Sequence, residues 1–442
     1  MDYKYNILNK IVVFFIMLMP FLFILGPTFV EIFSFFLVTL FLFEAKSSFY
    51  KNDKKYIYLF LVFYFYILLR SLFFSLEFEK IRSVVFYFRF LFYVLALIYF
   101  INQINNKHKY LVKIIFTGFL LLILDSIIQY YYGKNIFNIP LYDQSRASSF
   151  FGKELVLGSF LFRFLPFIFI ILLLHKFNFH KNKLNLSFFL GLYFFTVLIS
   201  GERTSFFLLF LTIFLLLVLI KKLRKILLYS LSFFLLLILI TSYFHKSPFD
   251  RMFISTWNQI FEPKNNISIT EPKNKTYISE SNKDSNLANP RFYIFSKDHQ
   301  GHYVVTIRMF FDNPIFGQGT RSFRYLCSEE KFIKTDGICS THPHNTYLQL
   351  LAETGLVGFS FIFILFLFCL KELIKKFFNN IKYQKKDNNL SQIKYISLIA
   401  IFVSLFPFVP SGNFFNNWLS FIYYYPIAFY IYSINKRKNY IY

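Results

Sequence analysis

The sequence predicts an all-α integral membrane protein with about 12 transmembrane helices and one long hydrophilic loop between helices 9 and 10. Of the 442 residues, 56% are hydrophobic and 16% are charged, whereas soluble domains carry about 25% charged residues. Apolar runs long enough to cross a hydrocarbon core, which needs about 20 residues, recur along the chain. The composition therefore excludes a soluble globular enzyme.

Twelve apolar runs are interpreted as membrane spans. They cover residues 10–25, 28–44, 56–76, 83–101, 110–130, 155–174, 186–200, 203–220, 226–243, 346–370, 393–409 and 414–433. The first run has no small-residue cleavage site, so we interpret it as a retained helix.

The distribution of Lys and Arg predicts the orientation, because basic residues resist translocation. Every second loop, together with both ends of the chain, carries most of them. The sequence therefore predicts cytoplasmic termini. The net charge of +25 is mainly a topology signal, so we do not interpret it as a nucleic-acid surface.

The hydrophilic loop separates two membrane regions. Helices 1–9 occupy residues 1–243, the loop occupies 244–345 on the non-cytoplasmic side, and helices 10–12 occupy 346–442. Residues 264–289 are polar and poor in apolar side chains, which is typical of a disordered insert. Residues 291–311 carry apolar side chains at helical spacings, which predicts a helix on the membrane surface.

Two features follow that helix. Asp312-Asn313-Pro314 should end it, and Gly317-Gln318-Gly319 supplies a turn. Cys327 and Cys339 lie further along the same loop, and two cysteines in an oxidising compartment usually pair. A disulfide is expected, and two free thiols are the alternative.

Charged residues next to or inside the spans are candidate site residues, because such groups are costly at membrane depth. Arg203 lies in Ser-Gly-Glu-Arg-Thr-Ser, between two spans on the non-cytoplasmic side. It is either part of an anion site or a helix-end arginine beside Glu202. Arg146 precedes the sixth span, and Arg163 lies inside that span and is expected to pair with Glu154 or another carboxylate.

A second candidate is the run Thr-His-Pro-His-Asn-Thr-Tyr before the tenth span. His344 and Asn345 should lie at the N-terminal turn of that helix, where unpaired N–H groups favour an anion. Gln349 and Glu353 share one face of it. Histidine can act as a base near neutral pH. The pair His342 and His344 could instead be structural, and metal binding is a weaker alternative because the spacing matches no zinc site well.

A third candidate is Asn289-Pro290-Arg291, which opens the surface helix. Arg291 could bind lipid head groups or a shared anionic ligand. Arg321 and Arg324, after the glycine turn, could contact glycan or phosphate, but no motif selects them.

These stretches resemble the bacterial O-antigen ligase and O-antigen polymerase superfamily. The match is carried by residues 200–205, by the Arg291 helix with Asp-Asn-Pro-Ile-Phe-Gly-Gln-Gly to Gly319, and by His344-Asn345-Thr-Tyr-Leu with Glu-Thr-Gly-Leu-Val-Gly. The similarity covers mainly residues 140–370.

The resemblance implies a glycosyltransferase that moves a glycan from undecaprenyl diphosphate to an acceptor hydroxyl, such as that of a lipid A core. The active site would be periplasmic, in a multi-pass protein of the bacterial inner membrane. The reaction would invert the anomeric centre without a metal or other cofactor. His344 matches the family histidine as base, and Arg203 and Arg291 would bind the diphosphate through bidentate guanidinium groups. Supporting roles would fall to Asn345, Glu353, Arg146, Arg163 and His342.

Other functions remain open at this point. The sequence does not decide between a ligase, which joins polymer to the lipid A core, and a polymerase, which joins repeat units. A flippase for lipid-linked sugars would also suit twelve spans, although the polar groups gather at one face rather than at the midplane. A non-catalytic scaffold or sensor is the remaining class.

Overall fold

The structure, a computed structural model, is mostly helical in the part of the chain that it describes. That part comprises residues 2–45, 53–102, 109–143, 146–244, 250–261, 296–334, 337–382 and 387–438. Within these ranges no β-strand forms, and only two isolated bridges occur, Lys134 with Pro140 and Asp143 with Arg146. The predicted all-α class is confirmed.

The described residues form seventeen α-helices. They are α1 (Asp2–Leu25), α2 (Pro27–Glu44), α3 (Lys54–Phe74), α4 (Phe78–Val85), α5 (Arg89–Ile101), α6 (Lys109–Tyr132), α7 (Leu157–Leu174), α8 (Lys183–Ile199), α9 (Arg203–Leu219), α10 (Arg224–Phe244), α11 (Ser255–Phe261), α12 (Lys297–Asp312), α13 (Phe323–Leu326), α14 (Glu330–Ile333), α15 (Thr346–Lys382), α16 (Asn389–Ser404) and α17 (Asn417–Lys438).

Several helices are suited to a membrane. Among the described residues, seven helical segments are long and apolar enough to cross one: Pro27–Glu44, Lys54–Phe74, Phe78–Ile101, Val112–Tyr132, Leu157–Leu174, Lys221–Tyr243 and Thr346–Lys382. Four shorter apolar helices accompany them. Each of the twelve predicted runs overlaps at least one helix, so a multi-pass helical membrane protein is supported. The count of twelve crossings stays a prediction.

Two helices differ from the predicted spans. The run 83–101 is not one regular helix, because a 3₁₀ turn at Phe86–Phe88 separates α4 from α5. The run 346–370 continues to Lys382. Its polar extension is helical because it is tied to the next helix: Lys376 Nζ lies 2.6 Å from Asp387 Oδ2, and Lys394 Nζ lies 2.7 Å from Glu372 Oε2.

The surface helix starts later than predicted. Helix α12 begins at Lys297, because Ser296 is extended and caps it, with its Oγ accepting from the N–H of His299. The helix ends at Asp312, before Pro314 as predicted. The predicted insert 264–289 and Arg291 lie outside the described residues.

Two motifs that are far apart in sequence interlock through their backbones. Helix α15 is kinked at Gly355, whose φ is 62°. The N–H groups of Gln318 and Gly319 donate to the carbonyls of Ala352 and Glu353 at 2.8 Å, just before the kink. In return, Leu356 N–H, after the kink, donates to the Pro314 carbonyl at 2.9 Å. The glycine turn thus satisfies backbone groups that the kink leaves open.

Helix α3 braces this interlock from the side. Arg70 donates to the carbonyl of Gly317, and Tyr66 Oη donates to the carbonyl of Thr354 at 2.5 Å. Ser71 and Thr320 are hydrogen bonded through their hydroxyls. The kink and the glycine turn are therefore held in one position relative to the bundle.

Candidate functional site

Asn345 builds the N-terminus of α15. Its Oδ1 accepts from the N–H groups of Tyr347 and Leu348 at 3.0 and 3.1 Å. Its Nδ2 donates to the carbonyl of Pro407 at 3.2 Å. This is the side-chain cap that asparagine favours. The asparagine of the His-Asn pair therefore positions the corner that carries His344.

The first turn of α15 has no N–H group to offer an anion. Besides the two groups bound by Asn345 Oδ1, Thr346 N–H donates to Ser411 Oγ at 2.7 Å and Gln349 N–H donates to the Asn345 carbonyl. The predicted anion site at this helix end is therefore wrong. The prediction required unpaired N–H groups in this turn, and the capping hydrogen bonds already occupy them.

Four imidazoles meet in front of this corner. The His344 ring centroid lies 4.0 Å from that of His342, and 5.3 Å from those of His299 and His302. His299 and His302 come from α12, three residues apart on one face. His344 is half-buried and has a φ of 58°, a left-handed conformation that is uncommon for residues other than glycine and concentrates at functional sites.

The surroundings keep the imidazoles of His342 and His344 neutral. Burial, followed by the charges of His342, His299 and His302, lowers the pKa of His344 to about 3. Burial and then Arg324 lower the pKa of His342 to about 4. His344 is therefore an unprotonated imidazole at neutral pH, which is the form that accepts a proton.

Neighbouring hydrogen bonds orient three of the rings. His302 Nδ1 lies 2.8 Å from the Ile338 carbonyl, His299 Nδ1 lies 2.8 Å from Ser296 Oγ, and His342 Nδ1 lies 3.0 Å from Thr341 Oγ1. Among the described residues, no group of three or more His, Cys, Asp or Glu side chains is arranged to hold a metal ion.

Glu353 is a buried anchor behind the cluster. Its carboxylate accepts from Arg321 N–H at 2.9 Å and Phe323 N–H at 3.3 Å. It also accepts from Gln349 Nε2 at 3.0 Å, which agrees with the predicted shared face. Glu353 thereby positions the segment that follows the glycine turn, and it is 1% exposed, so it holds structure rather than substrate.

A second group of charges surrounds the turn between α8 and α9. Arg146 Nε donates to the Ser200 carbonyl, and Arg251 Nε donates to the Gly201 carbonyl, at 3.3 and 3.2 Å. Arg251 acts electrostatically on both Arg146 and Arg203. Three guanidinium groups, which we call the α9 arginine cluster (Arg146, Arg203 and Arg251), therefore gather at this turn.

Glu202 does not serve as the partner of Arg203 in this turn. Its two carboxylate oxygens accept from the N–H groups of Gly158 and Ser159 at 2.7 and 3.0 Å, and from Ser205 Oγ at 2.8 Å. The acid thus caps the N-terminus of α7. Close packing explains the neighbouring glycine, because a Cβ on Gly158 would collide with the Ser200 hydroxyl.

Arg163 lies below this cap, inside α7. Its guanidinium donates to the Ser159 carbonyl at 3.0 Å and also to the Ser159 hydroxyl. Glu202 acts on it electrostatically, but no carboxylate of the described residues forms an ion pair with it, so the predicted pairing with Glu154 or another carboxylate is not observed. Arg163 also lines a small, otherwise largely apolar pocket between α7, α16 and α17.

One segment connects the histidines to the α9 arginine cluster. Ser411 N–H donates to the His344 carbonyl at 2.8 Å. Phe406, a few residues earlier, packs against Phe207, with ring centroids 5.7 Å apart, one turn after Arg203. Both groups therefore lie at the same end of the bundle.

The structure pairs Cys327 with Cys339 in a disulfide, with Cα atoms 5.3 Å apart. The bond joins the segment after Arg324 to the segment before His342. It thus links the two stretches of loop that face each other at the histidine cluster.

Sequence reasoning missed three residues of the site. His299 and His302 belong to the histidine cluster, and Arg251 belongs to the α9 arginine cluster. The two histidines had a usable signal, because a spacing of three places both on one helix face. Arg251 lies in a short helical turn, Asp250–Ile254, and nothing in its local sequence distinguishes it.

The chain was also compared with known proteins. The family model described as O-antigen ligase matches residues 187–363, a range that includes Arg203, the described part of the loop and His344. Among curated proteins, none matches the chain. The predicted resemblance to the O-antigen ligase superfamily is therefore confirmed over residues 187–363.

Proposed function

We propose that the protein is a membrane glycosyltransferase that moves a glycan from undecaprenyl diphosphate to an acceptor hydroxyl, such as one on a lipid A core. The reaction takes place at the periplasmic face of the bacterial inner membrane, and both chain termini lie in the cytoplasm. The observation that carries the proposal is His344, a neutral, half-buried imidazole fixed at the corner before α15 within the matched family region.

The proposed chemistry is one direct displacement. His344 takes the proton of the acceptor hydroxyl as its oxygen attacks the anomeric carbon. The bond between that carbon and the diphosphate oxygen breaks, so the configuration inverts and undecaprenyl diphosphate leaves. The diphosphate is already a good leaving group, so the protein needs a base and cations rather than a metal.

The cations come from arginines. Arg203 and Arg291 bind the diphosphate through guanidinium forks, which match phosphate oxygens in pairs. Arg146 and Arg251 support Arg203, because the α9 arginine cluster concentrates positive charge at one turn. Asn345 holds the histidine corner in place, and His342, Arg163 and Glu353 support the site from behind.

The test is a transfer reaction with purified protein in lipid nanodiscs. Undecaprenyl-diphosphate-linked glycan and a lipid A core acceptor are supplied in a chelating buffer, and the glycosylated acceptor is measured. Product formation is expected. If no product forms while the lipid-linked glycan crosses the bilayer, the protein is a flippase and the transferase proposal fails.

A gene deletion separates the ligase from the polymerase. Loss of a ligase leaves long polymer on the carrier lipid, whereas loss of a polymerase leaves single repeat units on the lipopolysaccharide. We expect the first result, and the second would assign the chain to repeat-unit polymerisation.

Arg203→Lys is expected to lower kcat/KM by about 10- to 100-fold, because a point charge replaces a bidentate fork that binds charged oxygens. The measurement is the initial rate of glycan transfer at fixed acceptor. Lys331→Arg, a charge-conserving change at an exposed loop position, is the control and should leave the rate unchanged. Normal transfer by Arg203→Lys would contradict the diphosphate role.

In the pH profile of glycan transfer, the fall in kcat/KM on the acid side (the acid limb) should occur at an unusually low pH. An ordinary histidine protonates near pH 6.5, but burial and neighbouring imidazoles lower the pKa of His344 in the free protein to about 3. The base therefore stays unprotonated as the pH falls, and kcat/KM should hold well below pH 6.5. The bound diphosphate, being negative, raises this pKa, so the acid limb of kcat should lie at higher pH than that of kcat/KM.

The measurement is the rate profile from pH 4 to 8, with samples returned to pH 7 and assayed again to exclude acid denaturation. An acid limb in kcat/KM at pH 6.5 or above would contradict a desolvated base.

A further inference from the structure

Two arginines after the glycine turn have no ion-pair partner among the described residues. Within the described part of the chain, neither the Arg321 nor the Arg324 guanidinium forms an ion pair or a hydrogen bond, and the Nε of each is buried without a partner. Both side chains are half-buried. Buried donors on a charged group are costly unless something binds them.

The nearby carboxylates already bind other groups. Glu353 acts on Arg321 electrostatically, but its oxygens accept from two backbone N–H groups and from Gln349. Glu79 is 3.2 Å from Arg82, and Glu77 is 2.7 Å from Lys80. The positive charge of Arg321 and Arg324 is therefore left available to a ligand.

The pair is also held rigidly. Glu353 fixes the Arg321 and Phe323 backbones, and Arg321 has a φ of 60°, a conformation that costs about 1–2 kcal/mol for a residue other than glycine. Burial and then Arg324 lower the pKa of Arg321, so the two guanidinium groups lie close enough to repel each other. Such an arrangement is stable when an anion lies between the two groups.

The pair adjoins the proposed base. Arg324 acts electrostatically on His342, whose ring centroid lies 4.0 Å from that of His344. His342 Nε2 is likewise buried without a partner in the described residues. Three nitrogens that lack hydrogen-bond partners thus belong to neighbouring side chains beside the histidine cluster.

We propose that Arg321 and Arg324 form a phosphate-binding subsite, separate from the α9 arginine cluster, that holds a phosphate group of a substrate beside His344. Guanidinium groups bind phosphate oxygens in a bidentate manner and remain charged at every relevant pH. The identification of the ligand as a substrate rests on the proposed function. The phosphate belongs either to the diphosphate of the donor or to a phosphorylated acceptor.

The first experiment measures binding of inorganic pyrophosphate to the full-length protein in nanodiscs. Arg321→Gln combined with Arg324→Gln is expected to weaken binding by about 10- to 100-fold, the effect of losing charge-assisted hydrogen bonds. All variants are made in an Arg203→Gln background, so that the α9 arginine cluster contributes less to the signal. Lys331→Gln, which removes one charge from an exposed position of the same loop, is the control and should bind as before.

The second experiment identifies the source of the phosphate, with Arg203 intact. Weakened binding of undecaprenyl diphosphate by the double variant assigns the subsite to the donor. Unchanged donor binding, with a raised KM for a phosphorylated acceptor but not for its dephosphorylated form, assigns it to the acceptor. Arg324→Lys should restore part of the binding, which a purely structural role would not require.

The proposal is overturned if the double variant binds pyrophosphate as tightly as the control does and has an unchanged melting temperature. Binding does not depend on turnover. If the wild type does not transfer glycan but the double variant still binds pyrophosphate more weakly than the control, the proposed function fails and the phosphate subsite stands.

Discussion

His344→Ala should lower the rate of glycan transfer by about 10²- to 10⁴-fold, the range expected when a general base is removed, while the protein still folds. The fold should survive because the corner is held by backbone groups and by Asn345. The His344 carbonyl accepts from Ser411, and the cap of α15 does not use the imidazole. The measurements are the initial transfer rate and the melting temperature in the same nanodiscs.

Two histidine variants serve as controls. His180→Ala changes an exposed histidine outside the cluster and should transfer at the normal rate. His342→Ala should lose less activity than His344→Ala, because His342 is a neighbour of the base in this proposal. If His342→Ala is inactive and His344→Ala active, the base has been assigned to the wrong imidazole.

Gly317→Ala should destabilise the protein by about 3 kcal/mol, of which about 1 comes from the left-handed backbone and about 2 from collision. Gly317 has a φ of 71°, and a Cβ there would lie 2.5 Å from the Glu353 carbonyl carbon and the Thr354 and Gly355 nitrogens. Thermal unfolding, followed in the same nanodiscs, measures the effect. Transfer should also fall, because Glu353 positions the loop behind the histidines.

Gly133→Ala separates the two contributions. Gly133 has a similar φ of 77°, but nothing lies within 4 Å of the position its Cβ would occupy. Its substitution should cost only about 1 kcal/mol. Equal losses at the two glycines would show that the interlock does not constrain the backbone.

Much of the helical framework was predictable because it follows from hydropathy. Long apolar runs must be helical in lipid, and each predicted run overlaps at least one helix. The bounds were less accurate where tertiary contacts decide them. The ion pair of Lys376 with Asp387 accompanies the extension of α15, and the cap by Ser296 moves the start of α12.

The site was predictable only in part. His344, Asn345 and Arg203 stand in recognisable local runs, but their partners come from other elements. Sequence could not show that Glu202 caps α7, because that contact depends on how α7 packs beside α9. For the same reason it could not bring His299 and His302 to His344. The free anion site expected at α15 was wrong because Asn345 accepts two of the first N–H groups and Ser411, more than sixty residues away, accepts a third.

The interlock around Gly355 has a consequence for exchanging parts between relatives. Backbone hydrogen bonds run in both directions between residues 314–319 and residues 352–357. Each segment therefore needs the other to satisfy its backbone groups, although more than thirty residues separate them in sequence. A chimaera with a foreign loop should therefore be joined upstream of Pro314 and downstream of Val357. A junction between these two points would combine halves that did not evolve together.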